Sequence, residues 1–567
     1  MKTDTLIEYA KERWPAARFA VIRDFLTHYY SAVAPDDLAA RDTPSLYGAA
    51  LSHWAMGEKR PRGKTQLQVY NPDAERNAWE STHTVIQLVT DDQPFLIDSL
   101  TMAINEHGLM LHMIVHPVLE VSRDAEHRIT RVDADELGRK ETEAWIHIEV
   151  DRQAETSQLN TLKKVLESAI NDVNAAVEDW KPMRQAAQRA LRGLQRHPPP
   201  IGERNRDEVI AFLEWMLDDH FTFLGYRRYD LHQRSSKMVL KATVDSGLGL
   251  LREATDQARQ SASFDALPTA LREQARTPDP LIITKSSRRS TVHRRGYMDY
   301  IGVKRFNQAG EVIGEHRFLG LYTSAAYSRN PRQIPLLRRK VDAVLTRAGL
   351  RRHSHAGKAL AHILETFPRD ELFQIEPPTL HRIAVGILHL QERQRVRLFV
   401  RHDAFGRFVS CLIYAPRDRY DTAVRKRMQD ILMAAFGGAH SEFTVQLSEA
   451  VLARIHFVIH LGEDAPDAVD HAAVEDQLAQ TTRLWADDLD TALLEHFGEA
   501  RGTALAQTYT GAFSAAYRED TSPRTAAQDI GRLEPLTAEQ PLAISLYRPL
   551  EAPENIVRLK LYHVGDP

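Results

Sequence analysis

The sequence predicts a multidomain α+β chain in which split βαβ, ferredoxin-like modules are joined by helical segments and a β-rich region. Three observations predict it. At 567 residues the chain has room for several domains, about three to five by ordinary domain size. Residues 82–183 read strand, helix, strand, strand, helix, the skeleton of a split βαβ unit. Residues 380–500 return to strands grouped around a helix, which predicts a second unit of the same kind.

The elements follow in chain order. Residues 5–40 carry Leu6, Tyr9, Ala10 and Trp14, then Phe19, Ile22, Phe25, Leu26 and Tyr29, at three- and four-residue steps that predict helix. Pro35-Asp36-Asp37 starts a new turn or helix. Residues 41–81 hold short extended pieces and turn signals such as Asn71-Pro72-Asp73, so 1–81 reads as a helical N-terminal segment with short strands. His83–Thr90 is rich in β-branched residues and predicts a strand. Asp91-Asp92-Gln93-Pro94 follows, with an aspartate placed to cap a helix and a proline suited to its first turn. Phe95 to His107 supplies that helix, with Leu96, Ser99, Leu100, Ala103 and Ile104 along one side, and Gly108 stops it. Leu111–Val121 and Trp145–Val150 predict two further strands, and a helix from about Ser157 to Trp180 closes the unit.

Residues 184–204 read as a linker centred on Pro198-Pro199-Pro200-Ile201-Gly202. A β-rich domain flanked by helices is expected over 205–366, with helix at Arg206–Asp219 and over 331–366 and strands between Phe221 and about Ser324. Its clearest hairpin turn is Asn307-Gln308-Ala309-Gly310. In the second unit, strands are expected at His381–Leu390, Val396–His402 and Phe408–Ala415, then a basic helix from Tyr420 to Phe436 ended by Gly437-Gly438. Strands at Phe443–Leu447 and Ala453–Leu461 and an acidic amphipathic helix over 472–497 complete it. Residues 501–540 read as a helical connector. Strands at Leu542–Tyr547 and Ile556–Tyr562 open a third module over 541–567, and a chain that ends there is expected to be part of something longer.

Composition narrows the function classes. Hydrophobic residues at 43% and charged residues at 26% give an ordinary globular balance. A net charge of −4 supplies no general attraction to nucleic acid or anionic membrane. The single cysteine, Cys411, excludes an internal disulfide, and its apolar neighbours in Val409-Ser410-Cys411-Leu412-Ile413 make it a packing residue. MKTDTLIEYAKERWP has no secretory h-region, and no run of about 18 apolar residues offers a membrane span, so a cytoplasmic chain without a membrane partner is expected.

No complete catalytic motif is legible. Ser246-Gly247-Leu248-Gly249-Leu250-Leu251 lacks the third glycine of a dinucleotide fingerprint, and neither a phosphate-binding Walker motif, a GxSxG elbow nor an HExxH is present. His112 with His116, and His353 with His355 and His362, lack a cysteine or carboxylate at ligand spacing, so no metal site is expected. Two polar groupings remain. Asp91, Asp92, Pro94, Phe95, Asp98 and Ser99 gather at a strand-to-helix corner, where they serve either as cap and turn or as a site for a cationic group such as an amino-acid ammonium. Arg288, Arg289, Arg294, Arg295, Lys304 and Arg305 form a basic stretch interleaved with Tyr297, Tyr300 and Phe306, facing an acidic block over 463–499 that suggests docking. Arg295-Gly296-Tyr297 opens like an RNA-recognition signature, but Met298 and Asp299 break it, so no nucleic-acid partner is expected.

Several runs carry a resemblance. They are Leu46-Tyr47-Gly48-Ala49-Ala50-Leu51 with Trp54, Asp91-Asp92-Gln93-Pro94-Phe95-Leu96-Ile97-Asp98-Ser99, and Asp218-Asp219-His220-Phe221-Thr222-Phe223-Leu224-Gly225-Tyr226. Tyr300-Ile301-Gly302-Val303, Gly320-Leu321-Tyr322-Thr323-Ser324 with Tyr327 and Pro331, and Phe367-Pro368-Arg369-Asp370-Glu371-Leu372-Phe373 continue the series. In this order they resemble the region preceding the catalytic domain of the large bacterial NAD-specific glutamate dehydrogenases.

The resemblance implies a full-length enzyme that oxidatively deaminates L-glutamate to 2-oxoglutarate and ammonia and reduces NAD. It implies ACT-like modules here, with no catalytic or cofactor-binding residue in these 567 positions and NAD held elsewhere in the full chain. It further implies a homo-oligomer built through those modules, the same chain's catalytic domain as partner, and an amino-acid effector at the Asp91–Phe95 corner. Where the ACT pattern has glycine after the corner proline, this sequence has Phe95, a ring that fills the space a ligand needs. A regulatory or assembly segment is therefore the leading expectation; a stand-alone amino-acid sensor and an RNA-binding module are the alternatives.

Overall fold

A computed structural model describes residues 2–132, 141–234, 237–252, 277–390, 393–547 and 557–565. Packing divides the chain into two units, residues 1–352 with 364–377 and residues 353–363 with 378–567.

The first unit opens with α1 (Lys2–Lys11), α2 (Ala16–Tyr29), α3 (Pro35–Ala39) and α4 (Thr43–Gly57). Helix α4 occupies sequence expected to be extended. Asp42 caps it by accepting the Ser45 N–H at 2.6 Å, and Leu46, Ala49, Ala50, His53 and Trp54 turn inward at helical spacing. There follow β1 (Gln66–Tyr70), α5 (Ala74–Asn77), β2 (Thr84–Asp91), α6 (Leu96–Glu106), β3 (Leu111–Val115), β4 (Val118–Arg123), β5 (Ile129–Val132), β6 (Glu141–Val150) and α7 (Thr156–Glu178). The strand expected at Leu111–Val121 is interrupted at His116-Pro117, since proline cannot donate to a ladder, and its halves β3 and β4 both pair with β6.

The sheet runs β1-β2-β6-β4-β5, antiparallel throughout. In an ordinary split βαβ unit the place beside the first strand belongs to a strand that follows the second helix. Here β1, from upstream, takes it. Side chains of β6 alternate between two layers. Ala144, Ile146, Ile148 and Val150 pack with Ile86 and Leu88 under α6 and α7. Trp145 faces the other way, against Phe25 and Trp54 of the N-terminal helices, with ring centroids 5.1 and 6.3 Å away.

The expected linker over 184–204 is largely helix. Met183, Ala186, Ala187, Ala190 and Leu194 form the buried stripe of α8 (Trp180–Arg196), and the prolines bend the chain only afterwards, ahead of α9 (Glu203–Trp215). A second sheet contains β7 (Phe221–Arg234), β8 (Lys237–Ala242), β9 (Leu248–Gly249), β10 (Leu281–Arg289), β11 (Tyr297–Phe306) and β12 (Val312–Tyr322). Its order is β10-β11-β12-β7-β8, with β9 on β7 and the 307–310 hairpin where expected. Helices α10 (Ser324–Ser328), α11 (Leu337–Ala348), α12 (His355–Thr366) and α13 (Arg369–Gln374) follow.

The strand expected at His381–Leu390 is instead α14 (Pro377–Leu388): Leu380, Ile383, Ala384 and Ile387 recur at helical steps and are buried, and this spacing outweighs the β-branched content. The second unit's sheet comprises β13 (Arg397–His402), β14 (Phe408–Pro416), then after α15 (Thr422–Phe436) the hairpin β15 (Gly438–Gln446) and β16 (Leu452–Leu461), closed by α16 (His471–Thr481). Its order, β13-β14-β16-β15, repeats β1-β2-β6-β3 of the first sheet. Cys411 is buried in its core, as expected of a packing residue. The acidic helix expected over 472–497 is two helices, α16 and α17 (Trp485–Phe497), parted at Thr482–Leu484. Helices α18 (Glu499–Tyr509), α19 (Ala515–Asp520) and α20 (Pro523–Leu533) form a small core with α17, and β17 (Leu542–Tyr547) pairs with β18 (Arg558–His563). No described helix is long and apolar enough to cross a membrane.

Two carboxylates fasten the first sheet to its helical cover. Glu143 is fully buried and accepts from Arg60 Nη2 at 2.8 Å, Arg123 Nε at 2.8 Å and the Trp145 indole N–H at 3.1 Å. Glu149 is equally buried and accepts both Nη atoms of Arg41, at 2.6 and 2.8 Å. Burial pushes the Glu149 carboxyl up, but hydrogen bonds from His147 and Arg41 prevail and bring it from 4.5 down to about 2. A folded pKa below the unfolded one adds stability that is fully present above about 4.5 and is lost as pH falls through about 2. Its size is about 3 kcal/mol. Urea unfolding of wild type and Glu149→Gln should therefore show wild type ahead at pH 7 and the gap closing by pH 2–3; a gap that ignores pH would contradict this account.

Candidate functional site

The corner between β2 and α6 is built differently from the capped turn its sequence suggests. The Asp91 carboxylate accepts from Arg60 Nη2 at 2.7 Å, and the Asp92 N–H extends the sheet by donating to Thr142 O at 3.0 Å. Pro94 precedes Phe95, which adopts φ +70°, the left-handed conformation that favours glycine. Helix α6 therefore starts at Leu96 with no side-chain cap, so the capping role expected of Asp92 is not realised. Ser99 takes over locally: its buried hydroxyl donates to Phe95 O at 2.6 Å.

A distant segment closes this corner. The turn joining β10 to β11, residues 290–296, lies on it. His293, itself at φ +74°, lays its ring against Phe95 at a tilt of 42° with centroids 4.7 Å apart, and its backbone N–H donates to Ser99 Oγ at 3.1 Å. His293 Nδ1 lies 3.6 Å from the Asp98 carboxylate, and Arg295 reaches Glu106 at 3.6 Å. Phe95 packs into a core with Val173 and Ala176 of α7 and Leu319 and Leu321 of β12. All six corner residues are thus close together, and the chain's own turn and Phe95 ring stand against them.

The basic stretch is dispersed rather than gathered into one face. Alternation along β11 sends Lys304 and Arg305 to opposite sides of the sheet. Lys304 is buried, donates to Thr277 O at 2.9 Å, and is brought down to about 8, by burial foremost. Arg305 pairs with Asp230. Arg294 donates to Tyr322 O at 3.1 Å, Arg289 lies over the Tyr297 ring, and Arg288 sits at the end of β10. The acidic block likewise meets local arginines, Asp487 with Arg419 at 2.5 Å, Asp488 with Arg483 at 2.7 Å and Glu475 with Arg397 at 2.6 Å.

One grouping in the first unit was not legible as a site. Lys285 lies 2.7 Å from Asp299 and 3.2 Å from Asp370, whose other oxygen accepts the Tyr327 hydroxyl at 2.8 Å. Burial pushes Asp299 up to about 6, with Asp370 acting the same way against the Lys285 charge. The cluster ties α13 to β10 and β11. Asp299, Tyr327 and Asp370 stand in or beside the runs that carried the resemblance, which was the available signal; Lys285 does not. Among the described residues no group of three or more His, Cys, Asp or Glu is arranged to hold a metal.

The corner between β14 and α15 of the second unit's sheet shows the same economy. Asp421 caps α15, accepting the Val424 N–H at 2.7 Å, while Arg419 ahead of it is fixed by Asp487 of α17.

Four family models match the chain: "Glutamate dehydrogenase, ACT1 domain" over 25–166, "helical motif 1" over 334–393, "ACT2 domain" over 397–486 and "helical motif 2" over 492–536. The chain is similar to the "NAD-specific glutamate dehydrogenase" of Halomonas elongata, 39% identical over 99% of this chain and 35% of the relative. It is similar to the proteins of that name in Pseudomonas aeruginosa, 35% identical over 96% of this chain and 34% of the relative, and Mycobacterium tuberculosis, 29% identical over 87% and 30%. The chain spans about a third of the length of these curated relatives.

Removal of the Ser99 hydroxyl tests the closure. Ser99→Ala leaves the His293 N–H without its acceptor, at a cost of about 1–3 kcal/mol. Amide exchange at His293 should quicken and the unfolding midpoint should fall; unchanged exchange would mean that the turn does not bear on the corner.

Proposed function

This chain belongs to the family of large bacterial NAD-specific glutamate dehydrogenases, and from that premise we propose that its 567 residues form a non-catalytic assembly segment of such an enzyme. The full-length protein, on this reading, converts L-glutamate, water and NAD⁺ into 2-oxoglutarate, ammonium, NADH and a proton in a catalytic domain outside these residues, where NAD is also held. Support for that chemistry lies in the names of the relatives and in the sequence resemblance.

One observation carries the assembly reading over amino-acid sensing. In both split βαβ sheets, β1–β6 and β13–β16, the strand-to-helix corner is fastened by a later part of the same chain, the 290–296 turn in one and Asp487 of α17 in the other. A corner that must stay open for an effector is poorly served by Phe95 and His293 rings packed against each other. The faces are covered too, but edges are free. Among the described residues β3 pairs only with β6 and β15 only with β16, and Met110, Ile114 and Val118 beside the first edge and Phe443 and Leu447 beside the second are exposed. Such edges suit sheet extension by a second copy of the chain, which supports a homo-oligomer. The dispersed arginines favour internal ties over one docking patch.

The domain reading extends to β17 and β18. Leu542, Ile544, Leu546, Leu559 and Leu561 lie exposed on one face of this ribbon, while Tyr562 and Lys560 hold Asp529 of α20 from the other. An antiparallel pair opens each of the two split βαβ modules, β1–β2 and β13–β14; the ribbon is read as the opening pair of a third such module. A cytoplasmic setting agrees with the one buried cysteine.

The purified 567-residue chain should show no glutamate-dependent NADH formation, and measurable turnover would remove the proposal. Sedimentation should show a multimer that Ile114→Lys on the β3 edge drives toward monomer, and calorimetry with amino acids should be flat. Saturable amino-acid heat, weakened by Asp92→Ala, would favour sensing instead.

A further inference from the structure

We infer that the first unit carries, on the face of the second sheet crossed by α8, a binding site for a multiply charged oxyanion, a phosphate group or a dicarboxylate, gripped by Arg189, Arg228 and His316. This inference does not rest on the reading above.

The sheet register assembles the site. Arg228 of β7 lies directly opposite His316 of β12, and Asp230 opposite Gly314, which in turn faces Arg305 of β11. Directly paired residues share a face, so Arg228, Asp230, Arg305 and His316 all project to one side. Gly314 leaves the gap that Arg305 crosses to reach Asp230: a Cβ there would stand 3.0 Å from the Arg305 guanidinium. Tyr226 comes from the same strand as Arg228, and its hydroxyl lies 2.8 Å from His316 Nδ1. Arg189 arrives on α8, which packs across β7 and β11, and its charge bears on both the Tyr226 hydroxyl and the His316 ring.

The charges do not balance. Three guanidinium groups act on His316 against one carboxylate, Asp230. That carboxylate is already taken, since one oxygen accepts from Arg305 and the other accepts the Thr243 hydroxyl at 2.7 Å. Arg228 donates its Nε to Thr243 Oγ1 at 3.1 Å, and neither Arg228 nor Arg189 has a carboxylate partner among the described residues. The histidine cannot add to the charge. Burial first, and then the arginines, bring it down to about 3, so the ring is neutral. In the tautomer whose Nδ1 accepts from Tyr226, the one we adopt, its Nε2–H is a donor.

What remains among the described residues is a set of donors with about two positive charges in excess and no carboxylate to spare. A zwitterionic amino acid would bring an ammonium that nothing there can receive. A dianion meets the charge and the donors together, and planar guanidinium forks favour phosphate and carboxylate oxygens.

The test is calorimetric titration of the whole chain at fixed ionic strength with inorganic phosphate, succinate and glycine. Saturable heat is expected with phosphate or succinate and none with glycine; phosphate alone would mark a phosphate ester as the natural ligand, succinate alone a dicarboxylate. Arg189→Ala, at an exposed position, and Arg228→Gln should each weaken the anion about tenfold, or about 1.4 kcal/mol. Without anion both variants should unfold at or above the wild-type temperature, because like charges have been relieved. Glycine binding as well as the dianions, wild-type affinity in both variants, or no saturable heat from either dianion would overturn the inference.

Discussion

Two buried carboxylates on one strand set the terms for the first sheet. Glu143 and Glu149 point away from the α6–α7 layer and into the N-terminal helices, where neither meets water. An ionised carboxylate in such a place is tolerable only if charged donors surround it. Arg41 and Arg60, one on either side of α4, supply them, together with Arg123 from β4. The N-terminal segment is therefore no appendage. It carries the counterions without which the central strand β6 could not be buried on both faces, and Arg60 reaches on to Asp91 at the end of β2, where the candidate corner begins.

From that fastening the logic of the modules follows. Each sheet takes its outer strand from the sequence ahead of it, β1 in one and β13 in the other, and each is covered on both faces. In the second unit α14 provides the outer cover: Gly386 lets it approach so closely that a Cβ would meet the Phe399 ring at 2.7 Å. A split βαβ unit on its own leaves one sheet face bare. Here that face is spent on the helices that precede it in the chain.

Much of this was legible in the sequence. The steps of Leu96, Leu100 and Ile104 and the β-branched run of β2 marked their elements because a single amphipathic period dominates each. Strand β1 was foreseen only as one of the short extended pieces over 41–81: its apolar side is just Leu67 and Val69, too brief an alternation to fix its bounds. Helix α14 was misread because Ile383, Val385 and Ile387 mimic a strand, while the buried spacing that decides the matter includes the inconspicuous Ala384. The corner residues were found, and Phe95 was singled out where glycine was expected; its left-handed backbone gives that oddity a physical meaning. The partner that closes the corner, His293, lies almost two hundred positions away, and no local period could announce it. The basic stretch misled for a related reason: charge along a strand says nothing about which face each residue takes.

The early position of β1 bears on the order of events during synthesis. A sheet that awaits a trailing strand stays open until that strand emerges, whereas this one has all its parts once α7 has left the ribosome. The turn that shuts its corner is encoded more than a hundred residues later. At roughly 5–20 residues per second, the nascent module spends several seconds complete but with Phe95 uncovered, an interval in which a chaperone or a neighbouring nascent chain can reach a surface that the finished protein conceals.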